Sequence, residues 1–524
     1  MPSRVQSVVL TGVEGHVVDI EVHVGAGLPR TAIIGLPGAS LTESRDRCKA
    51  AVVNSGFAWP NRNLTIALSP AELPKSGAHF DLAIALGVLA ATEVIPSERL
   101  TGVLLLGELA LDGRLRAVRG VLPSVLAAAD RGLHRVVVPE ANVAEARLTG
   151  TATVIGVRSL AQAVAVLRGQ DPPDAPPVPP LVGDGGRWNA RLTAPPLDLA
   201  DVVGQPEARR TVEVAAAGGH HLLLNGPPGS GKTMLAERLP GLLPDLDEEE
   251  SWEVTAVHSV AGVLPPEVSL VCRPPFVDPH HTASTVAIVG GGSREIRPGA
   301  ISLAHRGVLF LDEAPELRAD VLDALRQSLE SGQITIGRGA RTAHFPARYQ
   351  LVLAANPCPC GHSSGKGLHC ECAPAAMRRY RDRISGPIRD RMDLHRTMTP
   401  VSVRALRGDA GRAESTAVVA ARVAAARNRQ RERLAGTPWR RNADIPGPDL
   451  RRCFPVLPAA MRLVEEGMHH NKLTARGADR VLRVAWTLAD LADAGRPGVD
   501  EVGEAYLLRT SGALPARPGL ECAS

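Results

Sequence analysis

The chain has 524 residues, too many for one ordinary hydrophobic core, so two or three domains are expected. Hydrophobic residues make up 44% and charged residues 22%, which is the balance of a soluble globular protein. The net charge of +4 is too small to indicate a nucleic-acid partner by itself. The start of the chain has no secretory pattern, and apolar runs such as Leu82–Ala91 are shorter than the ~20 residues that span a bilayer. We therefore expect a cytoplasmic protein without a membrane partner.

The chain divides into three blocks and a linker. Residues 1–168 alternate apolar strands with helical patterns, which predicts a mixed α/β domain. Strands are predicted at Val17–Val24, Leu64–Leu68, Val103–Leu106 and Val136–Val138, and helices at Ser40–Ser55, Phe80–Ala91 and Leu122–Arg131. Residues 169–196 are rich in Pro and Gly, which predicts a semi-rigid linker. Strands and helices alternate again over 197–400, and helical patterns fill most of 401–524.

A glycine-rich loop follows the apolar run His221–Leu224 and precedes a predicted helix at Met234–Leu239. It matches G-x-x-x-x-G-K-[ST] in the strand–loop–helix setting that this pattern requires. Its members are Gly226, Pro227, Pro228, Gly229, Ser230, Gly231, Lys232 and Thr233. In such a loop backbone N–H groups surround phosphates, the lysine reaches the β- and γ-phosphates, and the threonine hydroxyl holds Mg²⁺. The loop therefore predicts a site for a nucleoside triphosphate with Mg²⁺.

Two later strands end in polar side chains. Val308–Leu311 leads into Asp312 and Glu313, and Tyr349–Ala355 leads into Asn356. At the carboxyl edge of a parallel sheet these side chains would lie beside the phosphates. Asp312 would then hold Mg²⁺ through water, Glu313 would act as general base, and Asn356 would orient the attacking water. The alternatives are a helix N-cap for the two acids and a turn for the asparagine.

Four of the eight cysteines lie within fifteen positions. They form two C-x-C pairs, Cys358 with Cys360 and Cys370 with Cys372. Four thiolates from two tight turns can enclose Zn²⁺, although C-x-x-C is the commoner spacing. Structural zinc is the favoured interpretation, and reduced free thiols or a redox pair remain the alternatives.

Motifs along nearly the whole chain resemble one family. They are DVVGQPEARR (201–210), GPPGSGKT (226–233), HSVAG (258–262), RPPFVDPHHTASTVAIVGGG (273–292), RPGAISLAHRGVLFLDE (297–313), AANPCPCG (354–361), ISGPIRDRMDLH (384–395) and LTARGADRVLRVAWTLADL (473–491). The sequence is thereby similar to the YifB/ComM family of magnesium-chelatase-like AAA+ ATPases. The resemblance implies an α/β fold: a AAA+ P-loop NTPase core with an α-helical C-terminal lid, plus an N-terminal α+β domain like the Lon protease (ribosomal protein S5 domain 2-like).

The resemblance also implies roles for three residues. Asn356 resembles the sensor-1 residue, Arg391 the arginine finger that reaches a neighbouring subunit, and Arg476 the sensor-2 residue on the lid. Hydrolysis would then require a closed ring, expected to be a hexamer. From the residues alone, the less favoured alternative for Arg391 is a helix-end salt bridge with Asp390 or Asp393.

A β-hairpin is expected before the third strand, as in members of this family. Gln333–Ile336 and Thr342–Phe345 flank a glycine-containing turn that carries Arg338 and Arg341. In a ring this tip would face the central channel, where both arginines can contact DNA phosphates. Solvated turn arginines are the alternative.

The segment between Arg404 and Arg441 contains ten arginines and three acids. A solvated helix surface explains this composition slightly better than contact with phosphates.

Residues 1–168 resemble the Lon proteolytic domain through 70–91 and 107–132. Lon-type proteolysis requires a serine nucleophile and a lysine base. His79 and Leu122 stand at those two positions, and neither Lys75 nor Ser76 occupies a matching place. We expect a fold retained for assembly or substrate contact, with no protease activity.

The favoured function is therefore an ATP hydrolase that works as a DNA motor on single-stranded or branched DNA, in recombination or transformation. A competence protein of the family is a branch-migration helicase. The alternative is a chelatase-like remodeller of a protein partner during metal insertion. Stimulation of ATP hydrolysis by DNA, as against stimulation by a protein, separates the two.

Overall fold

The computed structural model describes residues 2–35, 39–75, 77–181, 197–265, 267, 270–292, 295–338, 341–363, 370–409 and 411–510. The side chains of 39–42 and 341 are outside this description. Most of the predicted linker, 182–196, also lies outside the described residues, as does Ser76. The linker residues up to 181 are described, and among them the Val178 side chain is buried in the hydrophobic core of the N-terminal block.

The N-terminal block forms a seven-stranded mixed sheet covered by helices. Its strands and a small two-stranded ribbon are β1 (Ser3–Thr11), β2 (Glu14–Gly25), β3 (Arg30–Ile34), β4 (Asn63–Ser69), β5 (Val103–Leu105), β6 (Glu108–Leu109), β7 (Leu115–Arg116), β8 (Arg135–Pro139) and β9 (Thr153–Val157). Its helices are α1 (Ala39–Asn54), α2 (Asp81–Ala91), α3 (Val121–Ala129), α4 (Val143–Arg147) and α5 (Leu160–Arg168). The sheet order is β3-β4-β2-β1-β5-β8-β9. All strands and helices predicted here are confirmed, with boundaries shifted by a few residues.

A second sheet has five parallel strands in the order β11-β14-β17-β10-β18. Its region contains β10 (Leu222–Asn225), β11 (Phe276–Val277), β12 (Gly290–Gly291), β13 (Arg297–Pro298), β14 (Val308–Leu311), β15 (Gln333–Arg338), β16 (Arg341–Pro346), β17 (Gln350–Ala355) and β18 (Leu394–Thr397). The associated helices are α6 (Pro206–Gly218), α7 (Lys232–Ala236), α8 (Glu248–Ala261), α9 (Thr285–Val289), α10 (Ala300–Leu303), α11 (Ala319–Ser331), α12 (Pro374–Asp382) and α13 (Gly386–Arg389).

Both faces of this parallel sheet are buried, because alternate residues of each strand point to opposite sides. Phe310 and Val352 join a core shared with α6 and the C-terminal helices, whereas Leu309 and Leu351 join a second core with α8 and α11. The continuous apolar runs of β14 and β17 in the sequence follow from this double burial.

The C-terminal helices are α14 (Val403–Asp409), α15 (Thr416–Arg433), α16 (Gly447–Cys453), α17 (Pro458–His469), α18 (Ala475–Leu491) and α19 (Val499–Thr510).

The two sheets are joined through close contacts of the N-terminal block with the second unit. The buried Glu145 carboxylate accepts hydrogen bonds from the Ser259 hydroxyl of α8 and, at 2.9 Å, from the Leu122 backbone. Burial raises the pKa of Glu145. The β1–β2 turn lies on β16: a Cβ added at Gly12 would meet the His344 carbonyl oxygen at 2.1 Å. The hairpin β15–β16 is therefore braced by the N-terminal block. Across the described ranges, no helix is long and apolar enough to cross a membrane.

Candidate nucleotide and metal sites

The glycine-rich loop connects the end of β10 to the start of α7. Gly229 and Gly231 have φ angles of +75° and +87°, which glycine adopts without steric cost. A Cβ at Gly226 would lie 2.8 Å from the Met398 carbonyl oxygen, so the loop also needs glycine there for space. The buried Ser230 hydroxyl donates to the Pro227 carbonyl oxygen at 2.8 Å, which closes the turn. The loop thus has the open backbone curve that a phosphate chain requires.

The Lys232 ammonium lies inside this curve. It donates to the carbonyl oxygens of Gly226 at 2.6 Å and Pro227 at 3.0 Å, and to Asn356 Oδ1 at 3.1 Å. Burial lowers the pKa of Lys232, and the nearby carboxylates of Asp312 and Glu313 act against that shift. Neutral carbonyl acceptors are readily replaced by charged phosphate oxygens, which bind an ammonium more strongly. Lys232 of the loop and Asn356 at the end of β17 are therefore in contact, as expected from the parallel sheet.

Thr233 and Asp312, the two residues expected to hold Mg²⁺, are hydrogen-bonded to each other. The threonine hydroxyl donates to Asp312 Oδ2 at 2.8 Å, and the other carboxylate oxygen accepts from the Glu313 backbone at 2.9 Å. Hydroxyl, carboxylate and phosphate oxygens are the hard ligands that Mg²⁺ prefers. The residues present therefore fit a nucleotide-bound Mg²⁺ at this edge of the sheet.

Glu313 has an unusual backbone. Its φ of +50° and ψ of +41° are left-handed, a conformation that costs a residue with a side chain about 1–2 kcal/mol. The side chain is directed to His281, whose Nδ1 lies 2.9 Å from Glu313 Oε2. His281 follows β11, which pairs in parallel with β14, so both residues emerge at the same sheet edge. His281 is not among the site residues predicted from the sequence, although its position in the segment 273–292 was the available signal.

Replacing His281 with Ala is expected to lower the rate of ATP hydrolysis by about 10- to 100-fold, because a general base displaced by about 1 Å loses much of its effect. Nucleotide affinity should stay near that of the unmodified protein, since His281 contacts the carboxylate and not the loop. Phosphate release and binding of a fluorescent ATP analogue measure the two. The matched control is His280→Ala, whose imidazole pairs with Thr282 at 2.7 Å. Equal losses in both variants would contradict a positioning role.

Arg391 and Arg476 lie together in a different place from the loop. With Arg480 they line a cavity of about 270 Å³ that also includes His221. His221 precedes β10, whereas the glycine-rich loop follows it, so the cavity and the loop lie at opposite ends of that strand, about 13 Å apart at ~3.3 Å per residue. Arg391 and Arg476 are therefore both distant from the glycine-rich loop of their own chain.

Three arginines line this cavity beside two acids, Glu330 and Asp390. Burial and the neighbouring cations Arg326, Arg476 and Arg480 lower the pKa of Arg391. Arg391 is paired with Glu330 and donates to the Pro387 carbonyl oxygen at 2.7 Å. The alternative partner Asp393 is instead bonded to Arg480 at 2.6 Å. A concentration of guanidinium groups in a partly open cavity is suited to an anionic ligand.

The predicted hairpin is confirmed as β15–β16, in which Gln333 pairs with Pro346 and Arg338 with Arg341. Arg338 is exposed and donates to the Gly292 carbonyl oxygen. A Cβ at Gly337 would meet nothing within 4 Å, so there is open space on that side of the strand. The side chain of Arg341 and the tip residues 339–340 are outside the described part of the chain.

Several arginines of the C-terminal block form ion pairs with other residues of the chain. Arg422 bonds to Glu213 at 2.7 Å, and Arg440 to Glu249 at 2.7 Å. Arg433 is paired with the buried Asp490. The favoured interpretation from the sequence is a solvated helix surface; in the structure these three arginines are instead paired with acids of the same chain.

The four clustered cysteines are brought together. Their sulfur atoms all lie within 4.8 Å of one another, and the Cys358 side chain is buried.

In the N-terminal block, the two residues at the protease positions have structural contacts. The His79 ring is 2.9 Å from the Val8 carbonyl oxygen, and Leu122 is fully buried.

Comparison with known proteins gives a consistent family. The model "Magnesium chelatase, subunit ChlI" matches residues 198–406, "Subunit ChlI of Mg-chelatase" matches 20–142, and "Magnesium chelatase, subunit ChlI C-terminal" matches 413–509. An uncharacterized Mycobacterium tuberculosis protein is 52% identical, over 97% of this chain and 99% of its own. Escherichia coli YifB is 40% identical over 92% and 91%, and the Haemophilus influenzae competence protein ComM is 39% identical over 92% of both chains. The chain therefore belongs to the YifB/ComM family of magnesium-chelatase-like AAA+ ATPases.

Proposed function

We propose that the protein hydrolyses ATP with Mg²⁺ in a hexameric ring and uses the energy to move single-stranded or branched DNA. One observation carries this proposal. Lys232, Thr233, Asp312 and Asn356 converge on the glycine-rich loop, while the candidate arginines lie at the far end of β10. Each chain thus carries one half of each of two different sites. A head-to-tail ring brings the complementary halves of adjacent chains together.

In the proposed reaction, Lys232 leaves its carbonyl partners for the β- and γ-phosphates. Thr233 and Asp312 orient the metal, which when bound neutralises charge on the phosphate oxygens. Glu313 accepts a proton from the attacking water through the carboxylate that His281 positions. Asn356, already bonded to Lys232, orients that water or the γ-phosphate.

The arginine cavity completes the neighbour's site in this proposal. Arg391 reaches the γ-phosphate of the adjacent subunit and stabilises the charge that develops there. Because Arg476 lines the same cavity, we propose that this sensor-2 residue also serves the neighbouring nucleotide rather than its own. Helical lid movement would then couple adjacent subunits.

The DNA substrate is supported by the exposed hairpin and by the relative named a competence protein. In a ring, a hairpin with Arg338 and Arg341 near its tip is suited to contact phosphates without reading sequence. The chelatase-like alternative is supported by the match to the Rhodobacter capsulatus magnesium-chelatase 38 kDa subunit, which is 28% identical over only 32% of this chain. The broader coverage of the competence protein favours the DNA motor.

Single-stranded or branched DNA is expected to stimulate ATP hydrolysis, and the DNA affinity should fall steeply as salt rises. Replacing Arg338 and Arg341 with Ala should weaken DNA binding and reduce the salt slope by about 1 for each lost phosphate contact. The rate without DNA should stay unchanged. ATPase assays and fluorescence anisotropy over a salt series measure these effects.

Arg318→Ala is the matched control, because Arg318 is an exposed arginine paired with Asp320 away from the hairpin. If DNA had no effect and a protein partner stimulated hydrolysis, the chelatase-like remodeller would replace the DNA motor. Equal effects of the Arg318 and hairpin variants would contradict the assignment of the hairpin.

For residues 1–168 we propose a Lon-like fold without proteolysis, followed by a linker over 169–196, the ATPase core over 197–400 and the helical lid over 401–524. The contacts of residues 1–168 with α8 and β16 support a role of this domain in holding the hairpin in place. His79 and Leu122 lack the nucleophile and base that peptide cleavage needs. Peptide cleavage by the full chain that depended on a residue of 1–168 would contradict this assignment.

A further inference from the structure

Four cysteine sulfurs meet beside the nucleotide loop in a geometry suited to a metal ion. The Sγ atoms of Cys358 and Cys360 are 3.3 Å apart, and each is 3.7 Å from that of Cys370. The sulfur of Cys372 completes a group in which all four lie within 4.8 Å. The two C-x-C turns come from opposite ends of the segment between β17 and α12.

These distances discriminate between the chemical possibilities. A disulfide joins two sulfurs at about 2.05 Å, far below the measured separations. A tetrahedral zinc with Zn–S bonds of about 2.3 Å places its sulfurs about 3.8 Å apart. The separations of 3.7 Å are close to that edge length, and small inward or outward shifts bring the others to it. We propose that the cluster binds one Zn²⁺ through four thiolates and that the bound ion supports the nucleotide loop.

The local structure explains why a metal would be needed. The described residues from Pro357 to Ser363 and from Cys370 to Ala373 have no helix or strand, and few of them are apolar. Such a segment buries little surface, so a structural zinc supplies the folding energy that a hydrophobic core would otherwise provide.

The segment that carries the cluster lies against the glycine-rich loop. Gly361, one residue after Cys360, has a φ of +80°, and an added Cβ would lie 2.6 Å from Pro228 Cδ. Asn356, two residues before Cys358, accepts the hydrogen bond from Lys232. The first C-x-C turn is therefore fixed between two parts of the nucleotide pocket. This coupling rests on the proposed ATP site, whereas zinc binding itself does not.

The metal is tested on the full chain purified under reducing conditions. We expect one zinc per chain by elemental analysis, and tetrahedral thiolate absorption bands after replacement by Co²⁺. Cys360→Ser and Cys372→Ser should lose the zinc, while Cys272→Ser and Cys453→Ser, at exposed lone cysteines, should keep it. Since a cluster variant can fail to fold, chelation of the unmodified chain followed by addition of Zn²⁺ is the second measurement. A folded chain that takes up no zinc, or that holds iron and sulfide there, would overturn the site.

The coupling is tested with Gly361→Ala. This variant should keep its zinc but bind ATP about tenfold more weakly, a change of about 1.4 kcal/mol. Gly436→Ala is the matched control, because Gly436 has a similar φ of +76° and an added Cβ would meet nothing within 4 Å. Unchanged ATP affinity in Gly361→Ala with zinc present would overturn the coupling. If the unmodified chain bound no ATP, the proposed function would fail, and the zinc content would still decide the metal site.

Discussion

Replacing Glu313 with Gln is expected to lower the rate of ATP hydrolysis by about 10²- to 10⁴-fold while nucleotide binding is retained. The amide keeps the shape of the side chain but cannot accept a proton from water. The position is held by the left-handed backbone and by the His281 contact, so the change affects the chemistry and not the pocket. Steady-state phosphate release gives the rate, and equilibrium binding of an ATP analogue gives the affinity.

Glu316→Gln is the control for this prediction. Glu316 lies in the same short turn, but its carboxylate is bonded to Arg383 at 2.9 Å. Its neutralisation should leave hydrolysis near the unmodified rate. Normal hydrolysis by Glu313→Gln would show that another group takes the proton, and an equal loss in both variants would indicate a general electrostatic effect.

Arg391→Ala is expected to reduce hydrolysis by about 10³- to 10⁵-fold, the effect of losing an arginine supplied in trans in other NTPases. Nucleotide binding should persist, because the glycine-rich loop and Lys232 are intact and Arg391 lies at the other end of β10. Two controls separate charge delivery from local stability. Glu330→Gln removes the partner of Arg391 but keeps the guanidinium, and Arg389→Ala removes a half-buried arginine at the end of α13, two residues before Arg391.

Mixing subunits tests whether the arginine acts between chains. Arg391→Ala and Glu313→Gln are each expected to be inactive, but in a mixed head-to-tail ring some sites combine the intact Glu313 of one chain with the intact Arg391 of the next. Random mixing in equal amounts should restore about a quarter of the sites. No recovery on mixing, with mixed rings verified by mass, would show that Arg391 does not complete its neighbour's site.

Elements with local signals were predictable. The glycine-rich loop between strand and helix, the hairpin and the apolar strands β14 and β17 follow from residue spacing and from turn chemistry. The meeting of Lys232, Asp312 and Asn356 was also predictable, because parallel strands present their carboxyl ends at one edge. The clustering of four cysteines followed from their spacing in the same way.

Contacts between distant segments were not predictable from those patterns. His281 reaches Glu313 because β11 pairs with β14, and a two-residue strand leaves almost no periodic signal. The approach of Gly361 to Pro228 depends on where two loops cross, which residue type alone does not specify. Likewise, the ion pairs of Arg422 and Arg440 connect segments that are far apart in the chain.

The amino-acid sequence by itself determined that this protein carries a glycine-rich loop between a strand and a helix, an acid pair at the end of a strand and a four-cysteine cluster, since each depends on residues close in the chain. Only the tertiary structure decided that Arg391 and Arg476 share a cavity at the end of β10 opposite the loop. The physical reason is that strand order and helix packing, set by burial on both faces of the sheet, place distant residues together or apart. That separation is why we propose that one chain carries halves of two different sites and that a neighbouring chain completes each one.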